Sequence, residues 1–473
     1  MKMVIKRIIS IAIVLILFYI VLNFFSDITK RKESFARHNG FFEENNYDVL
    51  FLGSSHIKDG IFPMELWNDY GITSWNFGGP ANRIPTSYWV MINALDYVTP
   101  KIMVIDIFNL SSEEKYKTTT KNLHDALDFF PLTQTKIRAI QDLIDDKSMR
   151  SEYYFGYTSY HNRWASLDEE DFIKDYRTEK GATIQCDVAI PDEIQYTEKR
   201  LDSDTINLLY LKKMIEECQN RNIDVVLVGL PFCPDETRYK EINTAYQISL
   251  EYGIPFIDFM ELDSIINYNT DLSDSHGHLN ASGGRKVTAY MGEWIIKNYD
   301  ITDKRLDDKY NQWNLDYDKY VDFKLNIMKQ QNNLENYLML LNDDSFSWII
   351  EIENSEILEK ENIKNLLISL GIDIGKVKTS GSIVLKDTSK SNIEYFFGMK
   401  ESFEEKETSL GTLKYISKNK SIRLRLNDNT CWYIDEGAEY NCDIRVAVID
   451  NRTGLDVDNI SFISGDEKIK HYK

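Results

Sequence analysis

The chain has 473 residues, of which 43% are hydrophobic, and a formal net charge of −20. This length predicts two or three domains, and the hydrophobic content is sufficient for folded cores. The acidity argues against nucleic acid as the main partner, because a phosphate-binding surface needs clustered basic residues.

The first predicted element is an apolar helix over residues 8–25, a stretch without any charge. At ~1.5 Å per residue it spans roughly 27 Å, close to the thickness of a bilayer core. Large residues follow it where a signal peptidase would need small ones. We interpret residues 1–33 as a cytoplasmic tip and an uncleaved, single-pass signal anchor in the cell membrane. Basic residues flank both ends, so charge alone does not settle the orientation.

Residues 34–300 alternate apolar runs with amphipathic segments, which predicts an α/β domain with a parallel sheet covered by helices on both faces. The segment 112–200 fits this rhythm poorly and is interpreted as an insertion with a helix near 123–144. The predicted strands are 47–53, 74–77, 101–108, 223–230 and 254–259, and the predicted helices are 84–97, 202–221, 236–252 and 281–298.

The remaining chain predicts a helical connector over 301–344 and a β-rich accessory domain over 345–473. The second assignment rests on short alternating runs bounded by Asn, Asp, Gly and Ser, which favour antiparallel pairing. A turn is predicted at Asn451–Gly454. This domain contains no recognisable chemical constellation.

Neither a metal site nor a cofactor is indicated by the sequence. The cysteines are scattered and lack any CxxC pair, which argues against a metal centre. Unpaired thiols are favoured, and a Cys431–Cys442 pair is the alternative. The five cysteines are Cys186, Cys218, Cys233, Cys431 and Cys442.

Candidate catalytic residues follow two of the predicted strands. The first predicted strand ends in "FLGSSH", residues 51–56, and a serine hydroxyl needs a histidine and a carboxylate to become a nucleophile. The block "DLSDSHGHLNASGG", residues 271–284, supplies Asp274 and His278 just before a predicted helix. His276 is a competing base and Asp271 an alternative carboxylate.

These blocks resemble the SGNH/GDSL hydrolase family over about residues 45–298. "GSS" at 53–55 is similar to the family's first block and places the nucleophile on Ser55, and "NFGGP" at 76–80 is similar to its glycine block, where Gly78 and Gly79 compete. "IFNL" at 107–110 retains the asparagine of the third block as Asn109. "DSHGHLNASG" at 274–283 is similar to the final block, with His278 as its histidine. The resemblance implies a flavodoxin-like sheet.

The resemblance also implies an activity. Ser55 would attack an ester carbonyl, His278 would take its proton, Asp274 would orient the imidazole, and Gly79 and Asn109 would face the oxyanion. Water as acceptor gives an esterase, and a sugar or polyol hydroxyl gives an O-acyltransferase. The pattern is especially similar to membrane-anchored bacterial members that work outside the cytoplasm on the cell envelope, including teichoic acid D-alanylation and alginate O-acetylation proteins. Their partners would be an envelope glycan or teichoic-type polymer and a multi-pass membrane O-acyltransferase.

A second hypothesis is a non-catalytic accessory module that positions an envelope polymer for such a membrane-embedded acyltransferase. It is favoured by departures in the second and third blocks, where Ala81 occupies a position at which glycine would also fit and Ile107 and Leu110 replace family residues. The other departures are Ser54, which stands where the family has Asp, and one extra residue between Asp274 and His278.

Overall fold

The computed structural model describes residues 2–30, 34–44, 46–116, 120–154, 157–172, 178–262, 264–377, 379–396, 405–418, 421–434, 442–463 and 467–470. Backbone contacts group the chain into two compact units. The first comprises Met1–Thr183, Glu193–Ile265 and Gly284–Tyr317, and the second comprises Ile184–Asp192, Ile266–Gly283 and Asp318–Lys473. The domain boundaries predicted at residues 300 and 344 stay predictions.

Helix α1, Lys2–Lys30, contains the apolar stretch found in the sequence. Its segment Met3–Lys30 is long and apolar enough to cross a membrane, with a mean hydropathy of 2.9 over its most apolar window. Most of its side chains are exposed, as expected of a helix whose solvent is lipid. Among its described side chains only Ser26, Ile28 and Thr29, in its last turns, are buried.

The first unit is built on a five-stranded parallel sheet with the strand order β2-β1-β3-β4-β5. Its strands are buried almost throughout, which explains why they are near-continuous apolar runs in the sequence. The order confirms the predicted flavodoxin-like α/β arrangement. The strands are β1 Val49–Gly53, β2 Ser74–Gly78, β3 Ile102–Asp106, β4 Asp224–Gly229 and β5 Phe256–Asp258.

Local signals in the sequence set the ends of the helices in this unit. Asp235 caps the last long helix before β5, and Gly253 ends that helix in the left-handed conformation. The helices are α2 Ser55–Gly60, α3 Pro63–Tyr70, α4 Ile84–Ala94, α5 Thr120–Leu127, α6 Gln134–Leu143, α7 Arg150–Tyr154, α8 Tyr157–Tyr160, α9 Ile206–Asn220, α10 Glu236–Tyr252 and α11 Ala281–Asn298.

The single helix predicted near 123–144 is wrong, because α5 and α6 are separate. Pro131 lies between them, and proline disfavours the helical conformation in the residue before it. Thr133 then caps α6 by accepting a hydrogen bond from the Lys136 N–H at 3.1 Å. The amphipathic pattern runs through both helices and conceals the break.

The C-terminal part pairs its strands antiparallel, as predicted. One sheet has the order β15-β14-β13-β6-β7-β8 and the other β12-β11-β10-β9, and a shared apolar cluster includes Ile349, Leu413 and Trp432. The predicted turn at Asn451–Gly454 is confirmed by the Gly454 N–H, which donates to the Asp450 carbonyl at 2.7 Å. The helices are α12 Asn311–Gln330, α13 Leu334–Leu340 and α14 Glu361–Ser369, and the strands are β6 Phe346–Ile352, β7 Ser382–Asp387, β8 Asn392–Phe396, β9 Lys406–Thr408, β10 Gly411–Lys418, β11 Ser421–Leu426, β12 Asn429–Ile434, β13 Ile444–Asp450, β14 Leu455–Ile463 and β15 Glu467–Lys470.

The carboxyl end of β1 is packed too closely for any side chain at Gly53. A Cβ there would lie 2.4 Å from the Asp106 Cβ and 2.7 Å from the Ile57 Cγ1. Glycine is therefore required by the close approach of β3 and α2 at this point.

We expect Gly53→Ala to lower the free energy of unfolding by about 1–3 kcal/mol, the usual cost of overpacking a core. The matched control is Gly229→Ala at the end of β4, where a Cβ would meet only ordinary contacts from 3.5 Å outward. Urea unfolding of the full chain in detergent measures both variants. Equal losses in the two would contradict the close-packing argument.

Candidate active site

The two serines that follow β1 have different surroundings. Ser54 is buried and caps α2, since its Oγ accepts a hydrogen bond from the His56 N–H at 3.3 Å. The same Oγ donates to Asp106 Oδ2 at 2.8 Å, and the Ser54 N–H donates to that oxygen at 3.3 Å. Ser55, the first residue of α2, is only half-buried. The arrangement holds Ser54 as a structural cap and leaves Ser55 as the more accessible hydroxyl.

Asp106, the last residue of β3, is absent from the candidate residues that the sequence predicts. A single acid at the end of an apolar strand could have indicated it. Asp106 is fully buried, and burial raises its pKa to about 6. The hydrogen bonds from Ser54 and from the Phe108 N–H stabilise the ionised form and offset part of this rise. The nearby Glu241 carboxylate adds to the rise. Asp106 therefore fixes the turn that carries Ser54 and Ser55.

The glycines after β2 have their peptide N–H groups engaged. The Gly79 N–H donates to the Gly53 carbonyl at 3.1 Å, and the Gly78 N–H donates to Asn76 Oδ1 at 2.8 Å. A Cβ at Gly79 would lie 2.3 Å from Asn82 Nδ2. Glycine is thus required at residue 79 for steric reasons. The Gly79 N–H could donate to a bound group only if it shared the hydrogen bond that it makes to the Gly53 carbonyl.

Asn109 lies three residues beyond β3 in the left-handed conformation, with φ of 76°. Asparagine is among the few non-glycine residues that adopt it readily. Its Oδ1 accepts a hydrogen bond from Arg83 Nη1 at 2.6 Å, and its Nδ2 donates to the Asn82 carbonyl at 3.3 Å. Because Arg83 donates to Oδ1, the orientation of the Asn109 side-chain amide is fixed. One of the two Nδ2 protons is donated to the Asn82 carbonyl.

Glu241 of α10 holds the loop that carries Asn109. Its carboxylate accepts hydrogen bonds from the Asn109 N–H at 3.1 Å, and from the Ser111 N–H at 2.8 Å and Oγ at 2.5 Å. Arg238, one turn earlier, pairs with it at 2.7 Å and lies over the Phe108 ring at 4.4 Å. Burial raises the pKa of Glu241 despite these partners. Sequence reasoning missed this residue, because helical spacing does not reveal which loop a buried acid faces.

The second unit brings Asp274 and His278 together. His278 Nδ1 lies 2.5 Å from Asp274 Oδ2, and Asp274 Oδ1 accepts hydrogen bonds from the Gly277 N–H at 2.9 Å and the His278 N–H at 3.1 Å. Partial burial opposes ionisation of Asp274, but the hydrogen bonds and the charge of His278 outweigh it and lower the pKa. Gly277, with φ of 107°, closes the turn. Asp274 is therefore the carboxylate that orients His278.

The two alternatives raised by the sequence have other contacts. His276 Nδ1 lies 2.9 Å from Asp192 Oδ2, and its side chain is 82% exposed. Asp271 is buried and accepts hydrogen bonds from the Asn267 N–H at 2.7 Å and from Ser282 Oγ at 2.9 Å. These contacts of Asp271 stabilise the loop itself.

A strap from the end of the predicted insertion supports the histidine loop within the second unit. The Ala189 N–H donates to the Leu272 carbonyl at 3.0 Å, and the Asp192 N–H donates to the Ser275 carbonyl at 2.8 Å. The Ala281 N–H donates to the Gln185 carbonyl at 2.9 Å. The insertion thus positions a candidate catalytic loop, a role that its composition did not suggest.

Among the described residues there is no group of His, Cys, Asp and Glu arranged to hold a metal ion. Cys186 and Cys442 are thiols whose pKa is raised to about 11 by burial, so they are poor nucleophiles at neutral pH. Since Cys442 is a thiol, the alternative Cys431–Cys442 disulfide is not formed.

No protein-family model matches this sequence, and no curated protein matches it. Among solved structures, the chain is similar to that of a lipolytic protein of the G-D-S-L family from Desulfitobacterium hafniense DCB-2. The alignment covers 53% of this chain and 100% of that one, with 13% identity and a TM-score of 0.28. At this level the likeness adds nothing to an argument from the residues.

We expect the raised pKa of Asp106 to make stability pH-dependent. A buried acid with a folded pKa of about 6 and an ordinary value of 3.8 contributes stability that is present below pH 4 and is lost as the pH rises through 6. The loss is on the order of 3 kcal/mol. Asp106→Asn has no such charge, so its stability relative to the native chain should increase across this window.

Urea unfolding at several pH values between 4 and 7 measures the effect. The same substitution at exposed Asp202 is the control and should leave the pH dependence unchanged. Parallel pH profiles of stability for Asp106→Asn and the native chain would contradict a raised pKa of Asp106 in the folded protein.

Proposed function

We propose that this protein is a membrane-anchored serine esterase or O-acyltransferase that acts on a cell-envelope polysaccharide or teichoic-type polymer. The Asp274–His278 pair carries the proposal. Asp274 Oδ2 lies 2.5 Å from His278 Nδ1, and Asp274 Oδ1 accepts hydrogen bonds from two backbone N–H groups. A carboxylate on Nδ1 favours the tautomer with its proton there, in which Nε2 can accept a proton as a general base requires.

Ser55 is the proposed nucleophile. It begins α2 at the carboxyl end of β1, one of the inner strands of the sheet, where α/β folds commonly place reactive groups. The mechanism requires Ser55 Oγ and His278 Nε2 to come within about 2.6–3.2 Å when substrate is bound. Ser55 Oγ then attacks the ester carbonyl, its proton passes to His278, and the leaving alcohol takes that proton. Water or a polymer hydroxyl releases the acyl group by the reverse sequence.

The proposed oxyanion donors are the Ser55 N–H, Asn109 Nδ2 and, through a shared hydrogen bond, the Gly79 N–H. Asn109 is supported by its fixed orientation, since Arg83 holds Oδ1 at 2.6 Å and one Nδ2 proton remains beyond the bond to Asn82. Donors that are fixed in advance stabilise developing charge without reorganisation.

The envelope substrate is supported by the anchor and by the sequence resemblance. A helix that can cross a bilayer would hold the catalytic part at the membrane, and we place that part outside the cytoplasm, where envelope polymers are modified. A multi-pass membrane O-acyltransferase is the proposed acyl donor in the transferase reaction. The polymer hydroxyl then replaces water as the acceptor.

The alternative is an accessory module that positions the polymer without chemistry. One observation favours it. The Gly79 N–H and the Asn109 amide already have acceptors in the Gly53 and Asn82 carbonyls. An oxyanion hole whose donors are occupied would lose part of its benefit.

We expect Ser55→Ala and His278→Ala each to reduce hydrolysis of p-nitrophenyl acetate by at least about 10³-fold, because a triad acts as a unit. His276→Ala is the matched control. His276 lies two residues from His278 but is exposed and paired with Asp192, so this variant should keep the parent rate. Release of p-nitrophenol by the full chain in detergent measures all four proteins.

A parent protein that shows no hydrolysis even with an added sugar acceptor would favour the accessory module. Hydrolysis that survives Ser55→Ala unchanged would contradict the assignment of the nucleophile. Hydrolysis lost equally in His276→Ala would indicate a disturbed loop rather than a lost base.

We expect Asn109→Gly to lower kcat by about 10²-fold with little change in KM, the usual effect of removing one oxyanion donor. Glycine keeps the left-handed backbone and removes only the amide. Asn222→Gly is the control, since Asn222 is also left-handed, with φ of 58°, and is exposed before β4. An unchanged kcat in Asn109→Gly would exclude Asn109 from the oxyanion hole.

A further inference from the structure

A second serine, histidine and aspartate meet in the helical region between β3 and β4. His124 Nδ1 lies 2.8 Å from Asp128 Oδ2, and Ser159 Oγ lies 3.3 Å from His124 Nε2. All three residues belong to the first unit. The connectivity is that of a catalytic triad, in which the acid holds one ring nitrogen and the serine hydroxyl faces the other.

The imidazole is held firmly in this arrangement. His124 and Asp128 lie one helical turn apart at the end of α5, and both are buried, with 7% and 2% exposed. The Tyr153 ring stacks on the imidazole at 4.1 Å with an interplanar angle of 11°. A buried aspartate on Nδ1 favours the tautomer with its proton there, so Nε2 is an acceptor for the serine hydroxyl.

Ser159 has a choice of two acceptors, and the geometry favours the histidine. The Glu152 carbonyl lies 3.5 Å from Ser159 Oγ, at the outer limit of a hydrogen bond, whereas His124 Nε2 lies at 3.3 Å. Apo triads are commonly somewhat long at this contact and tighten with substrate. Ser159 itself is only half-buried, unlike His124 and Asp128.

The position of Ser159 indicates the kind of substrate. Helix α8 packs against α1, the helix long and apolar enough to cross a membrane. Arg163, four residues beyond Ser159, donates from Nη1 to the Thr29 carbonyl at 3.1 Å, near the end of α1. Asp171 fixes Arg163 through both of its oxygens, at 3.0 and 3.1 Å. A helix that inserts in a bilayer would therefore place Ser159 beside the lipid surface.

We propose that Ser159, His124 and Asp128 form a second nucleophilic site, which takes a carboxylic ester presented at the membrane surface. Ser159 Oγ forms a bond to the ester carbonyl carbon while its proton moves to His124 Nε2. The bond from that carbon to the alcohol oxygen breaks, and the alcohol leaves with the proton. Water then releases the acyl group as a carboxylic acid. The site uses none of the residues in the function proposed above.

The test uses the full chain in detergent and a biotin-tagged fluorophosphonate, which a nucleophilic serine attacks at phosphorus with release of fluoride. Peptide mapping by mass spectrometry gives the labelling rate of each serine separately. We expect Ser159 to be labelled at least tenfold faster than Ser151, an exposed serine of the same helical region whose hydroxyl bonds only to the Ser148 carbonyl in the described structure. This comparison needs no variant and so does not depend on folding.

Two variants test whether His124 and Asp128 activate Ser159. Asp128→Asn and His124→Gln should each reduce labelling of Ser159 at least tenfold, with the circular dichroism spectrum unchanged. The proposal is overturned if Ser159 is labelled no faster than Ser151, while an added reference serine hydrolase is labelled in the same tube. It is also overturned if both variants fold and leave the Ser159 rate unchanged. Labelling of Ser55 appears on a different peptide, so the result for Ser159 is independent of the function proposed for Ser55.

Discussion

One buried carboxylate, that of Asp106, determines the geometry at the carboxyl end of the parallel sheet. Its Oδ2 accepts both the N–H and the hydroxyl of Ser54, and its Oδ1 accepts the Phe108 N–H at 3.2 Å. The turn that presents Ser55 and the loop that leads to Asn109 thus share one anchor. The anchor is costly to bury, as its raised pKa shows, and its three hydrogen bonds offset part of that cost.

Three acids of the candidate site belong to two physical classes. Asp106 and Glu241 are buried, have a raised pKa, and hold loops by accepting backbone N–H groups. Asp274 is half-exposed, has a lowered pKa, and keeps its charge beside an imidazole. A triad acid must remain ionised to stabilise an imidazolium, and the lowered pKa of Asp274 meets that requirement.

Much of the fold could be predicted from the sequence, because buried parallel strands are continuous apolar runs and the helices between them carry capping residues. The site was harder, and Ser54 and Asp106 show why. Which of two adjacent serines faces inward depends on how β1 aligns with β3, and the sequence does not contain that register. The sequence shows the extra residue between Asp274 and His278, but how the loop accommodates it is seen only in the structure, where Gly277 has a positive φ and closes the turn. The His124, Asp128 and Ser159 cluster lies within the segment interpreted as an insertion, where the sequence shows no sign of it, since a histidine and an aspartate four apart are common on helices.

The two proposed serine sites rest on different kinds of scaffold, and this difference bears on the substrates proposed for them. Ser55 follows an inner strand of a parallel sheet, where neighbouring strands and the Asp106 anchor fix the backbone on several sides. Ser159 sits on a four-residue helix that packs against α1. A rigid strand end suits a polymer whose reacting group must be placed accurately, because small displacements are expensive in rate. A short helix beside an apolar anchor suits an ester that is already concentrated and oriented by the membrane, where the lipid itself supplies part of the positioning.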